Sequence, residues 1–228
     1  NSFRVHSSGA IIVASTGGLK SVDGNIELSS AVGTTIASNH GSGVTVSGGF
    51  VEVSGVGSIT VDGTACELDP SFLSGVSVSG GGRIKGGATG SVRVTGKGAD
   101  TSGEPSHGVI VTGASSVIES AGGSVSVLGN AGSHLTVQHH MGVLIDGGGR
   151  VSSSGAGALV IDGTSGDSPA GYNRGVVISG DVSSVTSVDG DITLRGKSLG
   201  TGIGGHNTGV LLDAGASVSS SGKGSISV

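Results

Sequence analysis

The chain has 228 residues, of which 49 are Gly and three are Pro, and its 11 basic and 16 acidic residues give a net charge of −5. No Gly-X-Y period is present, which excludes a collagen-like chain, and the basic residues form no run of the kind that binds nucleic acids. Apolar runs of only a few residues exclude a membrane-spanning segment. The single cysteine, Cys66, excludes an internal disulfide.

Apolar residues recur in steps of 33 or 34 along the whole chain, at two positions of a motif that is clearest in the stretch from Ser58 to Val61. The first position holds Ile26, Ile59, Val92, Val125, Leu159, Ile192 and Ile226. The second position holds Leu28, Val61, Val94, Val127, Ile161, Leu194 and Val228. Steps this uniform predict one unit stacked on itself, so that each unit buries its apolar face on its neighbours.

Each unit contains, in chain order, three short segments of alternating apolar and polar residues, and each segment ends at Gly. In the second unit, Gly43 to about Ser74, the segments are 44–47, 50–53 and 58–61. Such alternation predicts short strands with one buried face. Three strands separated by Gly turns form one triangular coil.

The first strand of the coil carries an inward-facing apolar pair in every unit. These pairs are Ile11/Val13, Val44/Val46, Val76/Val78, Val109/Val111, Val143/Ile145, Val176/Ile178 and Val210/Leu212. The middle strand is less regular, and its leading apolar residues are Leu19, Val51, Ile84, Val117, Val151 and Val218. At Ser184-Val185 the pattern of this strand slips by about one residue. The third strand is the strictest and carries the two positions given above.

The sequence therefore predicts an all-β fold, a right-handed parallel β-helix (β-solenoid) of about seven coils of about 33 residues. Each coil has three short strands and a variable corner loop, and successive coils lie about 4.8 Å apart. Residues 1–228 are expected to form a single segment of a longer array. Solenoids need polar terminal caps to stay soluble, and neither end of this chain shows one.

The copies differ most in the loop that follows the third strand. These loops are residues 30–42, 64–74, 97–107, 130–141, 164–174 and 197–208. Variation confined to one corner marks that edge as the place where binding residues are added.

Within this loop, the position three residues before the Gly that opens the first strand holds His6, His40, Phe72, Pro105, His139, Tyr172 and His206. Six of the seven side chains are rings able to stack along the rod. The candidate binding residues are therefore His6, His40, Phe72, His139, Tyr172 and His206. The alternative is that the rings only pack on the coil below. No carboxylate or Cys recurs beside the His residues, so we predict no metal and no other cofactor.

Asn also recurs beside the ring position, as Asn39, Asn173 and Asn207. Asn tolerates left-handed backbone geometry and its side chain bonds nearby backbone groups, which predicts a turn role for these residues.

The outward face of the first strand becomes apolar from the fourth coil onward, at Ile110, Leu144, Val177 and Leu211. If exposed, such a strip would be unusual on a monomer and would favour association of two rods side by side. Cover by the variable loop is the other interpretation.

The repeat resembles a known class over essentially the whole chain. Its motifs are Gly-Val-x-Val-x-Gly, x-Val-x-Ser-x-Gly and Gly-Ser-Ile-x-Val-x-Gly, and His-Asn-x-Gly-Val leads into the next copy. It is similar to the β-strand repeat arrays of giant bacterial surface proteins, the filamentous-haemagglutinin-like and autotransporter-like adhesins. The resemblance implies a right-handed parallel β-helix that is secreted to the bacterial cell surface, with no catalytic residues. The partners it implies are glycans or surface proteins of another cell, and we also expect lateral or end-to-end self-association.

We expect a non-enzymatic adhesin segment, with a purely structural spacer stalk as the first alternative. The second alternative is a polysaccharide lyase or glycoside hydrolase, since such enzymes also use β-helices. Those reactions need two carboxylates, or a carboxylate with Arg or Lys, on one face of adjacent coils. The outward positions of the first and third strands carry no acidic cluster, and Glu52 beside Lys85 predicts a surface ion pair.

Overall fold

The structure is a computed structural model that describes residues 2–31, 41–66, 73–100, 105–133, 138–201 and 204–228. Within these ranges the regular structure consists of 22 short β-strands in three parallel sheets. None of the described residues lies in a helix long and apolar enough to cross a membrane. The predicted all-β solenoid with three strands per coil is confirmed, and its right-handed sense stays a prediction.

Each of the three strands of the repeat forms its own sheet. Sheet 1 contains β2 (Ile11–Ala14), β5 (Val44–Ser47), β8 (Leu73–Ser79), β11 (Ser106–Thr112), β14 (Met141–Asp146), β17 (Arg174–Ser179) and β20 (Thr208–Asp213). Sheet 2 contains β3 (Gly18–Ser21), β6 (Phe50–Val53), β9 (Arg83–Gly86), β12 (Val117–Ser120), β15 (Arg150–Ser153), β18 (Ser184–Ser187) and β21 (Ser217–Ser220). Sheet 3 contains β1 (Phe3–Ser7), β4 (Ile26–Ala31), β7 (Ile59–Thr64), β10 (Val92–Lys97), β13 (Val125–Asn130), β16 (Leu159–Thr164), β19 (Ile192–Lys197) and β22 (Ile226–Ser227).

Like residues face like residues in the sheets, because the repeat length matches one turn of the helix. Val92 faces Val125, and Val125 faces Leu159. In the described residues, sheets 1 and 2 each contain seven strands, so each sheet has six steps from one coil to the next. We number the coils one to seven, from β2–β4 to β20–β22. The strand β1 precedes them and pairs in parallel with β4, and the sequence motif did not reveal it.

The interior of the rod is a continuous stack of Val, Ile and Leu side chains. Sheet 1 contributes Val44, Val46, Val76, Val78, Val109, Val111, Val143, Ile145, Val176 and Ile178. Sheet 3 contributes Ile26, Leu28, Ile59, Val61, Val92, Val94, Val125, Val127, Leu159, Ile161, Ile192 and Leu194. β-Branched side chains pack well on a pleated surface, and each buried one contributes about 1.5–3 kcal/mol. The predicted interior columns are therefore confirmed in the middle coils.

The two ends of the stack leave apolar interior positions uncovered. Leu212 and Ile226 are 44% and 46% exposed on the last coil. At the other end, Val5, Ile11 and Leu19 line an open apolar pocket of about 390 Å³. These exposures follow from stacking, since within the chain an end coil has a neighbour on one side only.

The middle strand differs from its prediction in two coils. Ile118, and not Val117, faces Ile84 and Val151, so the assignment of Val117 to the interior column was wrong. Val185 faces Val151 directly, so the predicted slip in the sixth coil does not occur. In the fourth coil two adjacent residues are apolar, and only the pairing with neighbouring coils decides which of them points inward.

Pairs of Gly residues lie in contact where sheet 3 ends and sheet 1 begins, at the base of five of the loops. The pairs are Gly63–Gly75, Gly96–Gly108, Gly129–Gly142, Gly163–Gly175 and Gly196–Gly209. A Cβ atom on the first Gly of each pair would overlap the carbonyl oxygen of the second. We call this contact the loop neck, and it lets the loop leave and re-enter the coil at nearly one point.

The outward apolar column of sheet 1 is less exposed than the sequence suggests. Val177 is only 3% exposed, while Ile110, Leu144 and Leu211 are half-buried. These side chains face one another in successive coils and so cover each other in part. Of the two interpretations, a fully exposed strip is therefore excluded at Val177.

Candidate functional site

The loop corner brings together three of the six predicted ring residues. His139, Tyr172 and His206 each lie two residues before a strand of sheet 1, at the start of β14, β17 and β20. His40 and Phe72 lie outside the described residues. His6 does not lie at the corner. It belongs to β1 and faces Ser29, and its placement in the ring column was wrong.

His6 is displaced from the corner because only residues 8–10 link β1 to β2, too few for the loop of the later coils. Its Nε2 atom lies 3.7 Å from the Oε1 atom of Glu27, whose Oε2 atom lies 2.9 Å from Nε of Arg4. The residue therefore belongs to a surface charge cluster on sheet 3.

The three corner rings form one stack along the rod. The ring centroids of His139 and Tyr172 are 4.9 Å apart with planes 24° from parallel. Those of Tyr172 and His206 are 4.6 Å apart with planes 17° from parallel. The Cζ atom of Arg174 lies 5.4 Å from the Tyr172 centroid, a cation–π distance. The predicted stacking from coil to coil is confirmed for these three residues, which we call the ring stack.

Each residue of the ring stack has a left-handed backbone, with φ values of 68° at His139, 56° at Tyr172 and 57° at His206. Gly is the usual residue for this conformation, and a bulky side chain there is uncommon. Such strain costs on the order of 1–3 kcal/mol per residue and persists where the surroundings impose it. Pro105 occupies the same position in the fourth coil and its ring fixes φ near −65°, so that coil cannot present a side chain in the same way.

Asn side chains hold the loops beneath the ring stack. Asn173 is fully buried, and its Nδ2 donates to the carbonyl oxygen of Ser168 at 2.7 Å. The backbone N–H of Asn173 donates to Oδ1 of Asn207 at 3.1 Å, and Nδ2 of Asn207 donates to the Gly200 carbonyl at 3.3 Å. The predicted side-chain bonds to nearby backbone groups are confirmed for these two Asn residues, but the left-handed residues here are the preceding Tyr172 and His206 and not the Asn residues. Asn39 lies outside the described residues.

Two buried His residues lie behind the ring stack, between the fourth and fifth coils. His107 is 4% exposed and His140 is fully buried, while His139 is exposed. Met141 N–H donates to Nδ1 of His107 at 3.3 Å, and Ser106 N–H donates to Nδ1 of His140 at 3.3 Å. This pair could not be predicted from the sequence, because no single-coil pattern shows that the two residues meet.

The environment of this corner disfavours protonated His. Burial, and then the charges of His140 and His139, lower the pKa of His107 to about 4. The pKa of His139 is also lowered, first by partial burial and then by the guanidinium of Arg174. Both rings are therefore neutral at pH 7, and the guanidinium of Arg174 places a positive charge beside Tyr172.

The described parts of the loops that follow β10, β13, β16 and β19 are stacked in register, which the sequence did not indicate. Ser133 N–H donates to Oδ1 of Asp100 at 2.6 Å, and Asp167 N–H donates to Oγ of Ser133 at 3.0 Å. The hydroxyl of Thr201 donates to Oδ1 of Asp167 at 2.9 Å. Each bond joins residues 33 or 34 apart, so the described parts of these loops continue the coil spacing beyond the sheets.

Charged residues form a second ordered surface, on the outward face of sheet 2. Glu52 faces Lys85 and Lys85 faces Glu119 in the register of the sheet. The close pairs are Lys85 Nζ with Glu119 Oε1 at 3.0 Å and Arg83 with Glu52 at 3.9 Å. The predicted Glu52–Lys85 neighbours are confirmed, but each pairs more closely with another residue. Among the described residues, no three His, Cys, Asp or Glu side chains converge as a metal site would need.

Comparisons with known proteins give no relative for this chain. No protein-family model, no curated protein and no solved structure matches it.

Proposed function

We propose that this chain is a non-enzymatic segment of an extracellular bacterial surface adhesin, whose loop edge binds the glycans or surface proteins of another cell. The observation that carries the proposal is the ring stack. His139 and His206 are exposed and Tyr172 is half-buried, at one edge of three successive coils. A row of aromatic edges beside a guanidinium is a surface suited to contact with another molecule.

Backbone strain at the ring stack supports a binding role. Gly would satisfy the left-handed conformation without strain, and Gly171 and Gly205 do so at the adjacent positions with φ values of 93° and 67°. Three ring side chains in place of Gly favour a role beyond chain reversal, since strained positions cluster where function uses them. A pure spacer, the alternative, requires only the stacked sheets.

The charged residues on the outward face of sheet 2 favour a structural role of that face over hydrolysis of a polysaccharide. Acid–base cleavage of a glycosidic bond uses two carboxyl groups that flank the bond. On this face Glu52 and Glu119 are two coils apart, and Lys85 lies between them. Its ammonium group holds the Glu119 carboxylate in an ion pair at 3.0 Å.

Binding of the fluorescently labelled chain to a broad glycan array and to intact cells tests the proposal. Substitution of His139, Tyr172 and His206 by Gly removes the rings and suits the left-handed backbone. We expect saturable binding by the unmodified chain and at least a tenfold weaker binding by this triple variant, equal to about 1.4 kcal/mol.

The matched control replaces Ser152, Thr186 and Ser219 by Ala, one residue in each of three successive coils on sheet 2. This control should bind as the unmodified chain does. Equal binding by the ring variant would show that the contact surface lies elsewhere. A folded chain that binds no cell and no glycan would favour the spacer.

A further inference from the structure

The His107–His140 pair joins two coils by reciprocal bonds. His107 belongs to the fourth coil and accepts from Met141 of the fifth, while His140 enters the fifth coil and accepts from Ser106 of the fourth. Each imidazole thus binds the backbone N–H next to the other imidazole. Both bonds use the unprotonated Nδ1 atom, so each neutral ring must carry its proton on Nε2.

These two hydrogen bonds lie just before the point where the regular pairing of β11 with β14 begins. The pairing of β11 with β14 begins only at Val109 and Val143. The pairing of β11 with β8, in contrast, extends back to Ser106 and Leu73. Between the fourth and fifth coils, the two imidazoles therefore accept hydrogen bonds from backbone N–H groups that lie outside the β11–β14 strand pairing.

Protonation of either imidazole would remove the bond that this imidazole accepts. An imidazolium carries N–H on both ring nitrogens and cannot accept a hydrogen bond. Its charge would also be buried, which is unfavourable without a partner. The cost of this buried charge therefore depends on whether a negatively charged group lies near it.

Among the described residues, the groups that shift the pKa of His107 supply no compensating negative charge. His140 and His139 lower the pKa of His107, and Arg174, which faces Met141 in the next coil, lowers that of His139. On the other side, the residue facing His107 in β8 is Ser74. Within the described part of the chain, no carboxylate is among the groups that shift the pKa of His107.

We propose that the His107–His140 pair is a pH-sensitive contact that closes the loop corner between the fourth and fifth coils at neutral pH and opens it in acid. The interior stack of Val and Ile side chains has no titratable group and stays closed. Acidification would therefore separate Ser106–His107 from His140–Met141 while the sheets remain paired.

The direction of the effect follows from the two states of the corner. In the open corner His107 titrates near the ordinary pKa of 6.5, and in the closed corner near 4. Protons therefore favour the open form as the pH falls below 6.5, and the gain levels off below 4. Between pH 7.5 and pH 4.5, the equilibrium constant for opening is expected to rise on the order of 50-fold.

Amide hydrogen exchange of the whole chain, corrected for the intrinsic effect of pH on exchange, measures this opening. We expect peptides that contain Ser106 and Met141 to lose protection at pH 4.5 while peptides from sheet 2 keep it. Unchanged protection of these peptides would overturn the proposal. Simultaneous loss in every sheet would also overturn it, because the chain would then unfold as a whole.

The matched variant is H107M/H140N, which introduces the residues that follow in the same columns, Met141 and Asn173. Its exchange at these amides should differ less than threefold between the two pH values after the same correction. Replacing the remote, exposed His6 by Gln should leave the response intact. A response retained in H107M/H140N would overturn the proposal.

A measurement on the unmodified chain keeps the test independent of how the variant folds. Nitrogen-15 NMR of the imidazoles distinguishes the two neutral tautomers. We expect unprotonated Nδ1 on both His107 and His140 at pH 7.5. A proton on either Nδ1 at that pH would show that the reciprocal bonds do not exist, and would overturn the proposal.

Discussion

Val125→Asp is expected to destabilise the whole rod and not just one coil. Val125 is fully buried in the interior column of sheet 3, between Val92 and Leu159. The substitution removes an apolar contact on both sides and places a carboxyl group where the described interior offers only aliphatic side chains. We expect the free energy of unfolding to fall by about 5 kcal/mol, measured by denaturant unfolding followed by circular dichroism.

Ser126→Asp is the matched control, since it places the same side chain one residue later on the same strand. Ser126 is half-buried on the outward face and lies between Arg93 and Val160 in the sheet register. The carboxylate reaches solvent there and lies beside a guanidinium, so we expect a change within about 0.5 kcal/mol. If Val125→Asp unfolded at the same denaturant concentration as Ser126→Asp, the assignment of Val125 to the interior would be wrong.

The fold could be predicted from the sequence because repetition supplies several independent copies of each weak signal. One alternating tetrad such as Val44 to Ser47 is ambiguous, whereas seven in register identify a stacked strand. The prediction failed where the spacing or the alternation departs from the repeat. Phe3 faces Ile26, a step of 23 and not 33 residues, and Val117 and Ile118 differ only in which of them faces Ile84.

The candidate site was predicted in part, because ring positions repeat while loop contacts do not. Counting from the following Gly placed His139 and Tyr172 correctly and His6 incorrectly, since the first loop is shorter. The His107–His140 pair occupies two different columns of the repeat. Contacts between residues at different positions of the repeat depend on the backbone path by which a loop returns to the coil. The periodic pattern of the sequence does not predict that backbone path.

The loop necks explain how this chain combines a uniform rod with variable corners. A loop whose two ends meet at one point can change its length and composition without moving the strands on either side. Loops 97–107 and 130–141 differ in sequence, yet Val109 and Val143 still face each other. The close approach requires Gly on both strands, and this requirement accounts for part of the high Gly content.

Gly129→Ala is expected to open the loop neck between the fourth and fifth coils and to destabilise the rod. A Cβ atom on Gly129 would overlap the carbonyl oxygen of Gly142 and lie 2.8 Å from Cγ2 of Val143. Both strands are held by neighbours, β13 by β10 and β16, and β14 by β11 and β17, so the backbone has little room to move aside. Added atoms in a close-packed region cost about 1–3 kcal/mol, and we expect a loss near the upper value in denaturant unfolding.

The control for Gly129→Ala is Gly9→Ala, because the same methyl group meets open space there. The nearest atom to a Cβ on Gly9 is Oγ of Ser7 at 3.8 Å, an ordinary contact. The backbone of Gly9 is not left-handed, so Ala fits without strain and reduces the entropy of the unfolded chain. We expect its stability to be unchanged or to rise by up to about 1 kcal/mol. Equal stability of the two variants would mean that the strands separate easily at the neck, and the loops would then not be held in the register on which the ring stack depends.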